Sequence, residues 1–363
     1  MNSAIKSEPL FVVPVFVPHS GCPHRCAFCN QVNITGAPRR VVSSETVQRE
    51  IRTFLGYNKT PDARIQIAFY GGNFLGMPPK EIERLLETAE TFIQQGQAHG
   101  LRFSTRPDTI TQTAMNIIRP FSVSTIEIGA QSMDNTVLHL ARRGHRAEDT
   151  IKAAKCVQQY GYETGLQMMT GLPGDTSETV RDTGEQIARL NPDFVRIYPT
   201  VVLNRSPLAR MYRQGDYTPW SMEKTITAVK RLYLLFRSKG INVIRMGLQS
   251  DQDLEKDTTI LAGPYHPAFG QLVWSRIYRD MAVKLIGDTP RLAADALLDI
   301  HVHPGQTSTM RGQKNVNMMY LRSHYPGHEF TVSPDREMEK DTLEINHARI
   351  SMTALWAHPE YRG

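Results

Sequence analysis

Leu10-Phe-Val-Val-Pro-Val-Phe-Val-Pro18 leads shortly into Cys22-Pro-His-Arg-Cys26-Ala-Phe-Cys29. The first stretch is short, apolar and rich in branched residues, as a strand buried on both faces should be. The second holds three of the chain's four cysteines in a C-x3-C-x2-C spacing, with Phe28 before the last. Ligands in α/β sheets bind at the carboxyl ends of the strands, so a strand opening into a cysteine loop is where such a sheet would carry a site.

The same pattern repeats downstream. Further strands are expected at Ile65–Tyr70, Leu101–Ser104, Thr125–Ala130, Thr164–Thr170 and Phe194–Pro199. Between them lie helical stretches at Ser44–Leu55, Pro79–Gln95, Gln112–Ile118, Asn135–Ala141, Ala147–Tyr160 and Ser177–Arg189. Ser43-Ser44-Glu45 reads as a cap with an acidic first turn, and Asp175-Thr-Ser-Glu178 as a capping box. Strand and helix in alternation predict a parallel sheet with right-handed crossovers. One more βα pattern is read at Ser221–Lys239 and Ile241–Met246. After Asp251 the rhythm loosens, with a helix at Ala268–Ile286, a strand at Leu297–His303, a helix at Asn315–His324, and strands near Phe330 and Ala348–Leu355. The expected division is residues 1–250 for the main α/β unit and 251–363 for a smaller substrate-side region.

Three clustered thiols leave the metal open. A structural zinc site takes four protein ligands, and His24 would be the candidate fourth. A [4Fe–4S] cluster held by three thiolates would keep one iron available. Cys156 lies in a helical stretch and reads as a core residue. The N-terminus has no secretory pattern and the chain has no membrane-length apolar run, so disulfides are disfavoured and a reducing, cytoplasmic location is expected. The formal charge of +6 permits a phosphate-rich partner, although the basic residues are spread along the chain.

Each further strand also ends in a motif. Tyr70-Gly71-Gly72-Asn73 offers exposed backbone, or simply a tight turn. In Ser104-Thr-Arg-Pro-Asp108, Arg106 reads equally as a bidentate carboxylate clamp or as a salt-bridged loop arginine. Gln131 ends the fourth strand, where an amide can both donate to and accept from ribose hydroxyls. Arg143 follows as a candidate partner of a carboxylate, or, with Arg142 and Arg146, as a solvated helix end. Gln167 begins the run to Gly171-Leu-Pro-Gly174-Asp175, where a helix opens.

Taken in order, these segments resemble the radical S-adenosylmethionine superfamily. The resemblance is to the radical domain of the Elongator catalytic subunit first, and to oxygen-independent coproporphyrinogen oxidases second. It extends through Val195-Arg-Ile-Tyr-Pro-Thr200 and Gly215-Asp-Tyr-Thr-Pro-Trp220 and covers roughly residues 10–250. It implies an α/β fold of the partial (β/α)6 TIM-like barrel type with a smaller C-terminal α+β extension. It implies that Cys22, Cys26 and Cys29 ligate a [4Fe–4S] cluster, and that S-adenosylmethionine meets Gly71, Gly72, Asn73, Arg106, Gln131, Arg143 and Gln167. An electron donor such as flavodoxin or ferredoxin follows from it, as does a tRNA-related substrate, with a small molecule as the alternative. A non-catalytic iron–sulfur or haem-handling relative is a further alternative. Two departures stand out. The spacing of Cys22 and Cys26 is the short one, unlike Elongator's, and no acetyl-CoA loop is recognisable after the radical region, so acetyl transfer is not carried over.

Overall fold

The expected strands form one sheet: β1 Leu10–Phe16, β2 Arg64–Tyr70, β3 Gly100–Thr105, β4 Val123–Gln131, β5 Glu163–Thr170 and β6 Phe194–Pro199. A two-residue strand, β7 (Val202–Leu203), leaves the sheet to pair with β9 (Ile260–Ala262). β8 (Asn242–Met246) returns to it, giving the order β1-β2-β3-β4-β5-β6-β8, parallel throughout. The structure is a computed structural model describing residues 9–17, 21–23, 25–30, 42–249, 259–288 and 296–358. The sheet curls into a partial TIM-like barrel. It has seven strands rather than six, because the Ile241–Met246 pattern supplies one more parallel edge.

Alternation along each strand sorts the side chains. Ile67, Phe69, Leu101, Phe103, Ile126, Ile128, Leu166, Met168, Val195 and Ile197 point outward, are buried, and pack under the helices. Helix Pro79–Gln94 meets them with Ile82, Leu85, Leu86, Ala89 and Phe92. Phe74 stacks between Phe69 and Phe103, with ring centroids 5.1 and 4.6 Å away. The intervening residues point into the barrel and are largely polar: Gln66, Tyr70, Arg102, Glu127, Gln167 and Arg196. The apolar runs of the sequence therefore mask a polar lumen.

Helix starts follow the sequence with one shift. Ser43 caps Ser44–Leu55 by accepting from Thr46 N. The capping box of Ser177–Arg189 is built by Thr176 and Thr179, one residue later than the Asp175–Glu178 reading. Asp175 instead turns back and accepts from Leu172 N at 2.8 Å, closing the loop after β5.

The C-terminal residues add a four-stranded mixed sheet. Its strands are β10 (Leu297–Val302), β11 (Glu329–Pro334), β12 (Thr342–Ile345) and β13 (Ala348–Ser351), in the order β11-β10-β12-β13. β12 was not expected. It pairs with β13 through a two-residue loop, Asn346-His347, with φ +51° and +66°, the backbone of a tight hairpin turn. Helix Phe269–Asp288 joins this sheet to the barrel helices through Val273, Ile277, Tyr278, Met281 and Leu285. One hydrophobic core runs from Val13 to Leu355. The expected boundary at 250/251 lies outside the described residues. No helix among the described residues is long and apolar enough to cross a membrane.

Candidate cluster and cofactor site

The cysteine loop is fastened to the barrel at several points. Gly21, at φ +73°, approaches the 73–77 turn so closely that a Cβ would lie 2.1 Å from the Asn73 carbonyl oxygen. Asn73 Nδ2 donates to Gly21 O at 2.7 Å. Ala27 N donates to Ala141 O at 2.9 Å, and Leu208 N donates to Ala27 O at 2.8 Å. The Asn30 amide holds Asn204 O. Phe28 packs among Val137, Ala141, Leu172 and Leu208. Long-range contacts thus hold the loop over the end of β1.

Arg143 brings a cation to the loop from beyond β4. Its Nη1 donates to Cys26 Sγ at 3.1 Å and its Nη2 to Gly129 O at 2.6 Å. A guanidinium held on a sulfur is the arrangement wanted where an anionic metal thiolate sits. Its Nε is buried without a hydrogen-bond partner. Gly129 makes room, since a Cβ there would stand 3.0 Å from Gln131 Nε2 and 3.4 Å from Arg143 Nη2. Gln131 itself ends β4 at φ +66°, beside a register shift in the β4–β5 ladder. Such a conformation is costly for a non-glycine residue and clusters at functional sites.

Two of the expected cofactor-binding side chains have protein partners of their own. Asn73 is fully buried. Its Oδ1 accepts from Thr105 Oγ1 at 2.8 Å, Arg106 N at 2.9 Å and Thr109 Oγ1 at 2.9 Å. With Nδ2 on Gly21, the amide joins three loops. Arg106 places Nε and Nη2 on Asp108 at 2.9 and 2.8 Å. Its bidentate fork is therefore taken by a neighbour two residues away, leaving only Nη1 buried and unpartnered. Gly71 and Gly72 lie at the end of β2, where the Phe16 ring covers Gly71 at a distance that excludes a Cβ.

His145 sits behind Arg143. Burial first, then the charges of Arg143 and Arg106, lower its pKa to about 4, so the ring is neutral at pH 7. Neither ring nitrogen has a hydrogen-bond partner. Gln167 points into the lumen, where Nε2 donates to Glu127 Oε2 at 2.8 Å. Glu127, also fully buried, was not singled out for a role in the sequence. Arg102 Nε donates to its Oε1 at 2.6 Å, Tyr70 Oη at 2.9 Å and Arg196 Nη2 at 3.1 Å. Arg196 Nε lies 2.7 Å from Oε2 as an ion pair, off the line of a hydrogen bond. The signal for this hub was a single charge in the middle of each of three apolar strands, since buried charges need partners.

Among the described residues, no three or more His, Cys, Asp or Glu side chains converge on a single metal position. His24 lies outside the described residues. The loop, the cation on Cys26 and the unpartnered polar atoms beside it fit an iron–sulfur group with a polar cofactor next to it. A sequence profile described as the radical SAM superfamily matches residues 16–187, and one described as the radical SAM C-terminal domain matches 192–279.

The chain belongs to the radical S-adenosylmethionine superfamily. It is an enzyme of that superfamily. It is 28% identical over 260 residues to a tRNA uridine(34) acetyltransferase of Methanocaldococcus infernus, a match covering 60% of this chain and 48% of that one. It is 24% identical over 247 residues to the oxygen-independent coproporphyrinogen-III oxidase-like protein HemZ of Bacillus subtilis, covering 63% and 49%. The solved structure of archaeal Elp3 from Methanocaldococcus infernus superimposes with a TM-score of 0.58 at 21% identity, over 74% of this chain and 63% of that one. The chain thus spans about half the length of these two curated relatives. The structural match shows a shared fold.

Other polar residues of the superfamily fold have simpler tasks. His266 Nδ1 and His303 Nδ1 accept backbone N–H groups from Ala268 and Gly305, at 3.0 and 3.1 Å. His301 pairs with Asp299 at 3.4 Å. Asp175 carries a testable cost. Burial raises its pKa from 3.8 to about 6. The folded state therefore binds the extra proton between those values, and its stability falls as pH rises through them. Asp175→Asn should gain up to about 2–3 kcal/mol over the parent at pH 7 and little at pH 4, read by urea denaturation at both pH values.

Proposed function

We propose that this enzyme cleaves S-adenosylmethionine reductively and acts on a base or nucleoside of RNA, tRNA foremost. The observation that carries the reading is the three-cysteine loop at the carboxyl end of β1, with the Arg143 guanidinium on Cys26 Sγ. Cys22, Cys26 and Cys29 would hold a [4Fe–4S] cluster, whose reduced form supplies the electron that splits S-adenosylmethionine into methionine and a 5′-deoxyadenosyl radical. Arg143 matches the negative charge of the loop and presents Nε to a carboxylate. Gln131 offers its amide to ribose hydroxyls. The Gly71–Gly72 backbone lies open to an amino group once the Phe16 ring moves aside. The barrel wall excludes water from the reacting atoms. Arg106, Asn73 and Gln167 support these groups from behind.

The nucleic-acid side rests on the similarity to a tRNA uridine(34) acetyltransferase and on the formal charge of +6. A small tetrapyrrole-like substrate is the second reading, favoured by the similarity to HemZ. Flavodoxin or ferredoxin would supply electrons in a cytoplasmic setting. Residues 1–250 would carry the radical chemistry, and 251–363 the substrate side. Protein reconstituted anaerobically with iron and sulfide should release 5′-deoxyadenosine when given dithionite and S-adenosylmethionine. A cluster without cleavage would overturn this reading. RNA that co-purifies, and dissociates with a steep salt dependence, would separate the two substrate classes.

A further inference from the structure

We propose that the barrel lumen recognises an anionic oxygen group on the substrate, a phosphate or a carboxylate, through Arg196 and Arg245. The register aligns Gln167, Arg196 and Arg245 across β5, β6 and β8. Ile197 and Met246, the next pair in that register, are buried in the outer core. Alternation therefore turns Arg196 and Arg245 inward. Tyr198, on the same face, feels the charge of both.

Among the described residues, the charges of the lumen do not balance. Glu127 is the carboxylate there, and Arg102 and Arg196 both pair with it. Arg245 contributes a third cation, and its Nη1 donates to the neutral Gln249 at 2.9 Å. Burial and the Glu127 charge raise the Tyr70 pKa, and burial raises that of Tyr198, so neither hydroxyl supplies a counter-charge at pH 7. Arg143 and Arg106 are engaged with Cys26 and Asp108. Arg102 Nη2 is buried without a partner. A partly desolvated excess of positive charge is unfavourable until an anion enters, and guanidinium forks match carboxylate and phosphate oxygens. Of the two arginines paired with Glu127, Arg196, with 15% of its side chain exposed, is the one that solvent reaches more.

The inference rests on the mouth of the barrel being the substrate entrance. Its test needs no turnover. Reconstituted full-length protein would be titrated calorimetrically, at constant ionic strength, with inorganic phosphate, acetate, uridine 5′-monophosphate and uridine. Saturable binding of uridine 5′-monophosphate and at least one of the two simple anions is expected, with none of uridine. Phosphate and acetate distinguish the two anion sources. Arg196→Gln and Arg245→Gln should each weaken anion binding about tenfold. Arg181→Gln, on an exposed outer helix, should leave it unchanged. Arg245→Gln leaves every bond to Glu127 in place, so it remains decisive should Arg196→Gln fail to fold. Anion binding that is absent, or equally strong in Arg245→Gln, would overturn the proposal. Either result leaves the cluster reading standing, because cleavage of S-adenosylmethionine is assayed separately on the same preparation.

Discussion

Glu127→Ala should destabilise the protein by about 3–5 kcal/mol, the range seen when one partner of a buried ion pair is removed. The carboxylate is wholly inaccessible and holds Arg102, Arg196, Tyr70 and Gln167 from four other strands. Without it, Arg102 would keep one hydrogen bond, to Gln66 Oε1 at 3.2 Å, and the face of the Phe194 ring, 4.6 Å from its guanidinium carbon. Neither neutralises a charge that solvent cannot reach. The cost is thus chiefly the orphaned arginine, and replacing Arg102, Glu127 and Arg196 together with apolar residues should recover most of it. The pH dependence has a definite sign. Burial pushes the Glu127 carboxyl up, but Arg196 and Arg102 outweigh that and hold it below the ordinary carboxylate range. Its contribution is therefore present above about pH 4.5 and is lost as pH falls through the depressed folded value. Urea denaturation at pH 7 and at pH 4 should show the gap between parent and variant narrowing on the acid side. A variant within 1 kcal/mol of the parent at pH 7 would show that the lumen tolerates both arginines unpaired.

What the sequence reveals and hides follows from how local each feature is. The strands and the cysteine loop are legible because their patterns lie within short stretches: apolar runs between Gly and Pro, and thiols at fixed spacing. Asn73 is not legible in the same way. Its partners are Gly21, Thr105, Arg106 and Thr109, and only the folded sheet brings these loops together. Arg106 reads from sequence as either a clamp or a local salt bridge, and the turn at Pro107 decides for Asp108. The lumen network joins residues from β2 to β6, so no single segment announces it. Asn346-His347 hides the β12–β13 hairpin because a histidine occupies a left-handed position where glycine would give the signal.

Cys22→Ala, Cys26→Ala and Cys29→Ala should each abolish both the charge-transfer absorbance of reconstituted protein and the release of 5′-deoxyadenosine. Cys156→Ala should retain both, because that residue lies on helix Ala147–Gln159, packed against the hydrophobic core. The loss would be chemical rather than structural. The backbone bonds that pin the loop, Ala27 N to Ala141 O and Leu208 N to Ala27 O, involve no sulfur. The Asn73–Gly21 tie is equally independent of the thiols. Far-ultraviolet circular dichroism should accordingly stay the same across the four variants. Removing Cys26 also strands Arg143 Nη1, which leaves only its sister Nη2 on Gly129 O. Cys26→Ala should therefore lose thermal stability, by about 1–3 kcal/mol for a buried charged donor left without its partner. Arg143→Lys separates the two roles, since a lysine keeps the positive charge but cannot span Cys26 and Gly129 at once. Iron content near the parent's with slowed cleavage in that variant would assign Arg143 to orienting the cofactor. Iron lost to the level of Cys26→Ala would assign it to holding the cluster loop.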